Sequence, residues 1–329
     1  MSIIGIIFGK KNTPWQRIDA SGTNIDTPDF DRHETFSAVA DEVIDGQHLV
    51  RIPAFWYRSG AVESGQHQGK KAVWVSSQPE DGFNLHPAFK KAGANTEQFW
   101  VGKYQGTPDG EKLGSQPDFL PLTRINFPAM QLAAQRGDGF QLWSIYHLGA
   151  IQLLALIELG TADARSVLGD GNVKGGGVLP VSDELVAQAT WRGIVGLWGN
   201  IWQMVDGLQT DSECRYRIWD ADGNGNYVST GASAPDGWIH RRHDRSGEGF
   251  DLGAVFLPKK TKSEREDAAY RCYTWSYGNA VAYHGGYYGY GSFAGLFYLY
   301  VFNASSYSST ASAAASQRCS EPCGLSLVL

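Results

Sequence analysis

The chain has 329 residues, 42% of them hydrophobic, with 28 basic and 34 acidic side chains and a net charge of -6. That composition can bury one large core or two modest ones, and it excludes a disordered tail and a disulfide miniprotein. The near-balanced charge leaves no electrostatic footprint for nucleic acid or an anionic membrane, so neither is expected as a partner.

The opening run Ile3-Ile4-Gly5-Ile6-Ile7-Phe8 reads as a short strand. It is too short for a signal-peptide core, and Lys10 and Lys11 follow it instead of preceding it, so classical export is not expected. The polar stretch from Asp19 to Thr35 cannot close a core of its own and is expected to pack against another part of the chain. His48 to Tyr57, Ala72 to Ser76 and Gln98 to Tyr104 are rich in β-branched and aromatic residues and read as strands. Pro53 marks the first of these as an edge or irregular strand.

Two helices are expected. One runs from about Pro128 to Arg136 and ends at Gly137; the other runs from Ser144 to Glu158 and ends at Gly160. In the second, Ile145, Leu148, Ile151, Leu153, Leu154, Leu156 and Ile157 cover more than one face, which predicts a core helix without chemistry. Its apolar stretch is about half of the roughly 20 residues that a membrane span needs, so no membrane insertion is expected. Beyond Gly160 the chain becomes Gly-rich, with short strands and many turns. This order of elements fits an α+β fold better than the regular alternation of an α/β sheet.

Three polar features offer chemistry and are read in structural terms. Gly169-Asp170-Gly171-Asn172 and Gly175 to Gly177 lack the Lys-Ser or Lys-Thr pair of a phosphate cradle, so a flexible loop is expected. Asp220-Ala221-Asp222-Gly223-Asn224-Gly225-Asn226 matches the first half of a calcium loop. Gly231 stands where the bidentate acid belongs, so an Asx-rich turn is expected, with a bound cation as the alternative. His240-Arg241-Arg242-His243-Asp244-Arg245 reads as a solvated loop, with contact to an anionic partner as the alternative. The four cysteines, Cys214, Cys272, Cys319 and Cys323, are too few and scattered for a disulfide framework, and no metal or cofactor is expected.

The segment from Cys272 to Gln317 stands apart. Its 46 residues contain no Asp, Glu, Lys or Arg, where the chain's own 19% of charged residues would place roughly nine. Tyr270 to Tyr307 holds 10 of the chain's 15 tyrosines, interleaved with Gly, Ser, Ala and Asn. Tyr with Ser and Gly is the palette of antibody-like paratopes, in which rigid amphipathic rings supply contact area at small entropic cost. Along a strand, Leu296, Tyr298, Tyr300 and Phe302 share one face and Phe297, Leu299, Val301 and Asn303 the other, so the Tyr-bearing face is expected to be displayed.

These residues resemble a known family. Leu197-Trp198-Gly199-Asn200-Ile201-Trp202-Gln203-Met204-Val205-Asp206-Gly207 resembles the GNVWEW signature of the C-type lectin fold in its formylglycine-generating-enzyme-like branch, and Phe99-Trp100-Val101-Gly102-Lys103-Tyr104 resembles its first strand. Gly285-Gly286, Gly291, Ala294-Gly295-Leu296-Phe297 and Arg318-Cys319 are similar to the variable region of proteins diversified by retroelements and to related phage tail proteins. Arg51-Ile52-Pro53-Ala54-Phe55-Trp56-Tyr57 and Leu85-His86-Pro87-Ala88-Phe89 also look phage-tail-like. In such proteins, adenine-directed mutagenesis alters codons that never become Lys, Glu, Gln, Met or Trp, and Ser276 to Ser316 contains none of the five.

The resemblance implies a C-type lectin fold with a small β-rich N-terminal region at 1–95 for attachment and oligomerisation. A ligand-binding domain follows at 96–329, with a variable region at about 276–316. The implied function is non-enzymatic receptor binding by a phage or prophage tail, as a homo-oligomer, to a protein or glycan on a bacterial surface. Candidate contacts are Tyr287, Tyr288, Tyr290, Ser292, Phe293, Tyr298, Tyr300, Phe302, Tyr307 and Ser309, with Trp198, Asn200 and Trp202 supporting the scaffold. In formylglycine-generating enzymes a closely spaced C-terminal cysteine pair holds copper. Here Cys272 and Cys319 lie 47 positions apart, so the fold without the catalysis is expected. The alternatives are a metal-dependent oxidase using Cys272, Cys319 or Cys323 with His284, and a structural tail component whose aromatic strip is buried against another virion protein.

Overall fold

The computed structural model describes residues 3–9, 15–137, 139–310, 312–314 and 316–319. Strand outweighs helix, at 34% against 17%, and two helices carry most of the helical packing. Helix α1 (Phe127–Ala134) starts where the Asn126 side chain accepts from Ala129 N, with proline in its first turn. It closes on Gln135, two residues short of Gly137. Helix α2 (Ile145–Leu159) is closed at both ends by its own sequence. Ser144 and His147 form a reciprocal capping box, and Gly160 takes the left-handed conformation, φ 69°, as C-cap. Every residue from Ile145 to Ile157 is buried, as its all-round apolar pattern predicts. Among the described residues no helix is long and apolar enough to cross a membrane.

Three sheets surround α2. In the first, Gln16–Ile18, Ile3–Ile7, Lys71–Ser76, Trp56–Ala61 and Asn84–Leu85 lie side by side. In the second the order is Phe140–Leu142, Ser316–Cys319, Gln98–Gly102, Gln47–Pro53 and Ala40–Ile44. Pro53 therefore belongs to an interior strand, not an edge. It is tolerated because it ends the strand, beyond the Ala40–Arg51 pair that closes the ladder on that side. Residues on either side of position 95 share this sheet, through Ile52 opposite Phe99, and share one core cluster that includes Ile4, Ile52, Phe99 and Leu154.

The polar stretch after Ile18 packs on that core through Phe30 and Phe36, whose rings meet edge to face at 4.8 Å. Beside it, Arg17 donates to the Ile157 and Glu158 carbonyls at 2.9 and 2.6 Å, satisfying acceptors that the end of α2 leaves open.

The third sheet has nine strands. Five of them matter below: β1 (Trp202–Thr210), β2 (Gly237–Arg242), β3 (Tyr273–Ser276), β4 (Val281–His284) and β5 (Leu299–Val301). Their spatial order is β1-β4-β5-β3-β2, with β3 and β5 parallel.

The segment His240 to Arg245 is not a solvated loop. Its first half is β2, and Arg242 turns inward. Its guanidinium donates to the carbonyls of His243, Leu252, Gly253 and Val255 and, at 2.6 Å, to Ser59 Oγ, and it lies over the rings of Phe8 and Phe256. A buried charge persists only where such a set of acceptors replaces water.

Candidate ligand-binding face

Alternation along the strands divides the third sheet into two faces. Thr274, Ser276, Ala282, His284, Leu299 and Val301 are buried, with α2 contributing Gln152, which donates to the Leu296 carbonyl. The other face carries Trp202, Tyr283, Tyr300, Trp275, Tyr273 and Trp238. Tyr283 and Trp275 both stand directly opposite Tyr300, and Trp238 opposite Tyr273, so one aromatic row crosses all five strands.

The rings touch in sequence. Trp202 stacks on Tyr300 at 5.1 Å and meets Tyr287 at 4.6 Å; Tyr287 meets Tyr290 at 4.7 Å, and Phe293 stacks on Trp238 at 5.0 Å. At the far side Phe302 joins Tyr300 to Tyr277, which is 63% exposed. A cleft of about 380 Å³ opens between Trp275, Tyr287, Gly289, Tyr290, Gly291, Ser292 and Phe293.

The loop from Gly285 to Tyr298 that supplies Tyr287, Tyr290 and Phe293 is held from beneath, and its backbone takes most of the holding. Arg165 donates to the Gly291 and Ala294 carbonyls and to Asp170 Oδ1. Gly175 N donates to the Tyr288 carbonyl at 2.7 Å, Gly291 N to Val173, and Tyr288 N to Asn200. His284 Nε2 and the Leu296 carbonyl lie 2.7 Å apart.

The glycine-rich segment 169–177 is thus no free loop. Asn172, 3% exposed, donates to Asn200 Oδ1, and a Cβ on Gly199 would fall 2.7 Å from the Asn172 carbonyl. Asn200 adopts φ 62°, a left-handed conformation that asparagine tolerates better than most residues. Its amide donates to Gln105 Oε1 and the Leu179 carbonyl, while its oxygen also accepts from Leu179 N.

Of the expected contact residues, Ser292, Phe293, Phe302 and Tyr307 are exposed, and Tyr287, Tyr288, Tyr290, Tyr300 and Ser309 are half-buried. Tyr298 departs from the expectation: it is fully buried. The strand begins only at Leu299, and Tyr298 lies in the turn where its N–H donates to the Gly295 carbonyl. The two-residue period therefore does not reach it. Its ring packs edge-on against Tyr290 at 5.3 Å, and burial raises its phenol well above the ordinary range. Burial likewise pushes Tyr300 up to about 12. The loop after Phe302 docks on the start of α1, where Arg124 N and Phe127 N donate to Ser309 and Ser305.

Of the expected supports, Trp198 is sealed in the core and anchors the loop through Nε1 to the Asp170 carbonyl. Trp202 is part of the aromatic row itself. Trp238, Tyr273, Trp275 and Tyr277 belong to the row and were missed by sequence reasoning. Three of these lie inside the charge-free segment and could have been found by the strand period at 273–277; Trp238 comes from a strand distant in sequence.

The remaining polar candidates are structural. Asp220 accepts from the backbone N–H groups of Asp222, Asn224 and Asn226, which is the Asx-rich turn. A Cβ on Gly223 would lie 2.2 Å from the Lys90 carbonyl, so the turn needs glycine there. Cys272 is sealed beneath Gly295, and burial pushes its thiol up to about 12. His284 is equally buried and held down at about 4. A thiolate and a free imidazole facing solvent, as an oxidase centre requires, are not what these two residues present. Cys323 lies outside the described residues. Among the described residues no group of three or more His, Cys, Asp or Glu side chains is placed to hold a metal ion.

No protein-family model matches the chain, and no curated protein matches it. Among solved structures, it is similar to the Major Tropism Determinant in its M1, P3c and U1 variants. Each is 12% identical with a TM-score of 0.35, over 100% of this chain and 73% of the other.

Proposed function

We propose that this protein is a non-enzymatic receptor-binding protein whose third sheet and overlying loop display a variable aromatic surface on a C-type-lectin-like frame. The observation that carries the reading is the aromatic row. Rings from five strands and one loop form a continuous, partly exposed strip, most of them drawn from the segment that has no formal charge. Ordinary surface is rich in charge, and contiguous exposed aromatic area marks a site of contact. The resemblance of this segment to retroelement-diversified regions supplies the setting: a phage or prophage tail and a bacterial surface target. Loop backbone held by Arg165 and Asn200 leaves the displayed side chains free to change. Assembly as a homo-oligomer through the first 95 residues would multiply weak contacts.

The test is sedimentation of the purified protein with whole bacteria. Replacing Tyr288, Tyr300 and Phe302 with alanine together should abolish co-sedimentation while shifting the melting temperature by only a few degrees. Unchanged binding by that variant would refute the reading.

A further inference from the structure

We infer that the cleft between Trp275, Tyr287, Tyr290 and Phe293 binds a neutral saccharide; this rests on the receptor-binding reading and names the ligand class of the same face. Three observations converge on an uncharged, hydroxyl-rich ligand with a flat apolar side.

The first is a ring platform. Phe293 stacks nearly parallel on Trp238, 16° between planes, meets Tyr273 and Tyr290 at steep angles, and keeps 36% of its surface exposed at the cleft. The negative face of an aromatic ring attracts the weakly positive C–H bonds of a pyranose. Tyr287 and Tyr290 stand beside it as a side wall, 59° apart.

The second is the polar rim. The Tyr287 and Ser292 side chains line the cleft, and each hydroxyl can both donate and accept, as sugar hydroxyls do. Gly289, exposed and without a side chain, leaves its backbone groups open at the same rim.

The third is charge. No charged residue lines the cleft. Asp236, whose charge acts on Tyr273, is engaged by Ser276 N and Oγ, and Arg165 by the loop carbonyls and Asp170. A charged ligand would find no counter-charge in the cleft, an uncompensated desolvation. A quaternary ammonium ligand would find rings but no free carboxylate. A neutral glycan meets neither obstacle. The volume, about 380 Å³, is in the range of small-ligand sites.

The experiment uses the full chain and a bacterial strain that it sediments with. Neutral polysaccharide released from those cells by mild acid, the protein fraction of the same envelopes, and choline chloride are each titrated against tryptophan fluorescence and used as competitors of cell binding. The expected result is saturable quenching and competition by the neutral polysaccharide, weakened at least tenfold by Phe293→Ala and unchanged by Val43→Ala, an exposed position on the edge strand of the second sheet. Competition by the protein fraction or choline alone overturns the saccharide assignment and leaves the receptor-binding reading standing. Failure to bind any cell overturns both.

Discussion

Trp202 and Tyr300 stack at 5.1 Å with 23° between their ring planes, joining the strand that bears the family-like motif to the strand at the centre of the charge-free segment. One ring is 8% exposed and the other half-buried, so the pair is where frame becomes surface. Trp202→Ala should destabilise by about 3–5 kcal/mol, the range for a large aromatic removed from a packed site. Tyr300→Ala should cost about half that or less, yet reduce ligand binding more. Urea unfolding of the two variants, read beside cell co-sedimentation, separates the two roles.

Asn200 combines a left-handed backbone with four side-chain hydrogen bonds to Asn172, Gln105 and Leu179. Asn200→Gly keeps the backbone accessible but strands the partners, and Asn200→Ala adds strain. We expect losses of about 3 kcal/mol or more for glycine and roughly 1 kcal/mol further for alanine, measured by chemical denaturation.

Arg242 should not be replaceable by lysine. One ammonium cannot reach four carbonyls and Ser59 Oγ in the geometry of a planar fork. Arg242→Lys and Arg242→Ala are each expected to cost about 3–5 kcal/mol by leaving buried acceptors unpaired, visible as a drop in melting temperature.

Acid should weaken the fold through its buried histidines. Burial holds His284 at about 4 and His86 at about 3, both below their ordinary 6.5. Above pH 6.5 neither folded nor unfolded imidazole is protonated and their contribution is whole. As pH falls through 6.5 the unfolded state takes up protons that the folded state refuses, so stability declines down to the folded values. His284 alone accounts for about 3 kcal/mol across that window. Asp206, raised by burial, acts in the opposite sense. Urea midpoints from pH 7 to pH 4.5 should fall, and His284→Gln should flatten the slope.

Arg165→Met removes the clamp on Gly291 and Ala294 without altering a displayed ring. Amide hydrogen exchange across 287–294 should accelerate, and binding should weaken several-fold through loss of preorganisation, with little change in global melting temperature. Unaltered exchange would show that Val173, Gly175 and Asn200 suffice.

Local signals were legible without coordinates wherever one stretch of chain carries its own constraint. Ser144 and Gly160 mark the ends of α2 because capping is decided within a turn, and the apolar residues between them announce burial on every side. The absence of charge from 272 to 317 marked the segment that supplies Tyr273, Trp275, Tyr283 and Tyr300 to the aromatic row. What the sequence could not decide was which of its aromatic rings face water. Tyr298 and Tyr300 differ by two positions, yet a turn ahead of Leu299 buries the first and leaves the second half open. Arg242 reads as one charge in a polar run, and only the convergence of carbonyls from 243 to 255 with Ser59 makes it a core residue. The glycines at 169–177 read as slack, and became a mould once Asn172, Asn200 and Arg165 closed around them. Several of these contacts join residues far apart in the chain: Asn172 and Asn200 by 28 positions, Arg165 and Gly291 by 126, Arg242 and Ser59 by 183. Burial and hydrogen-bond satisfaction are properties of the packed neighbourhood, and only the tertiary structure assembles it.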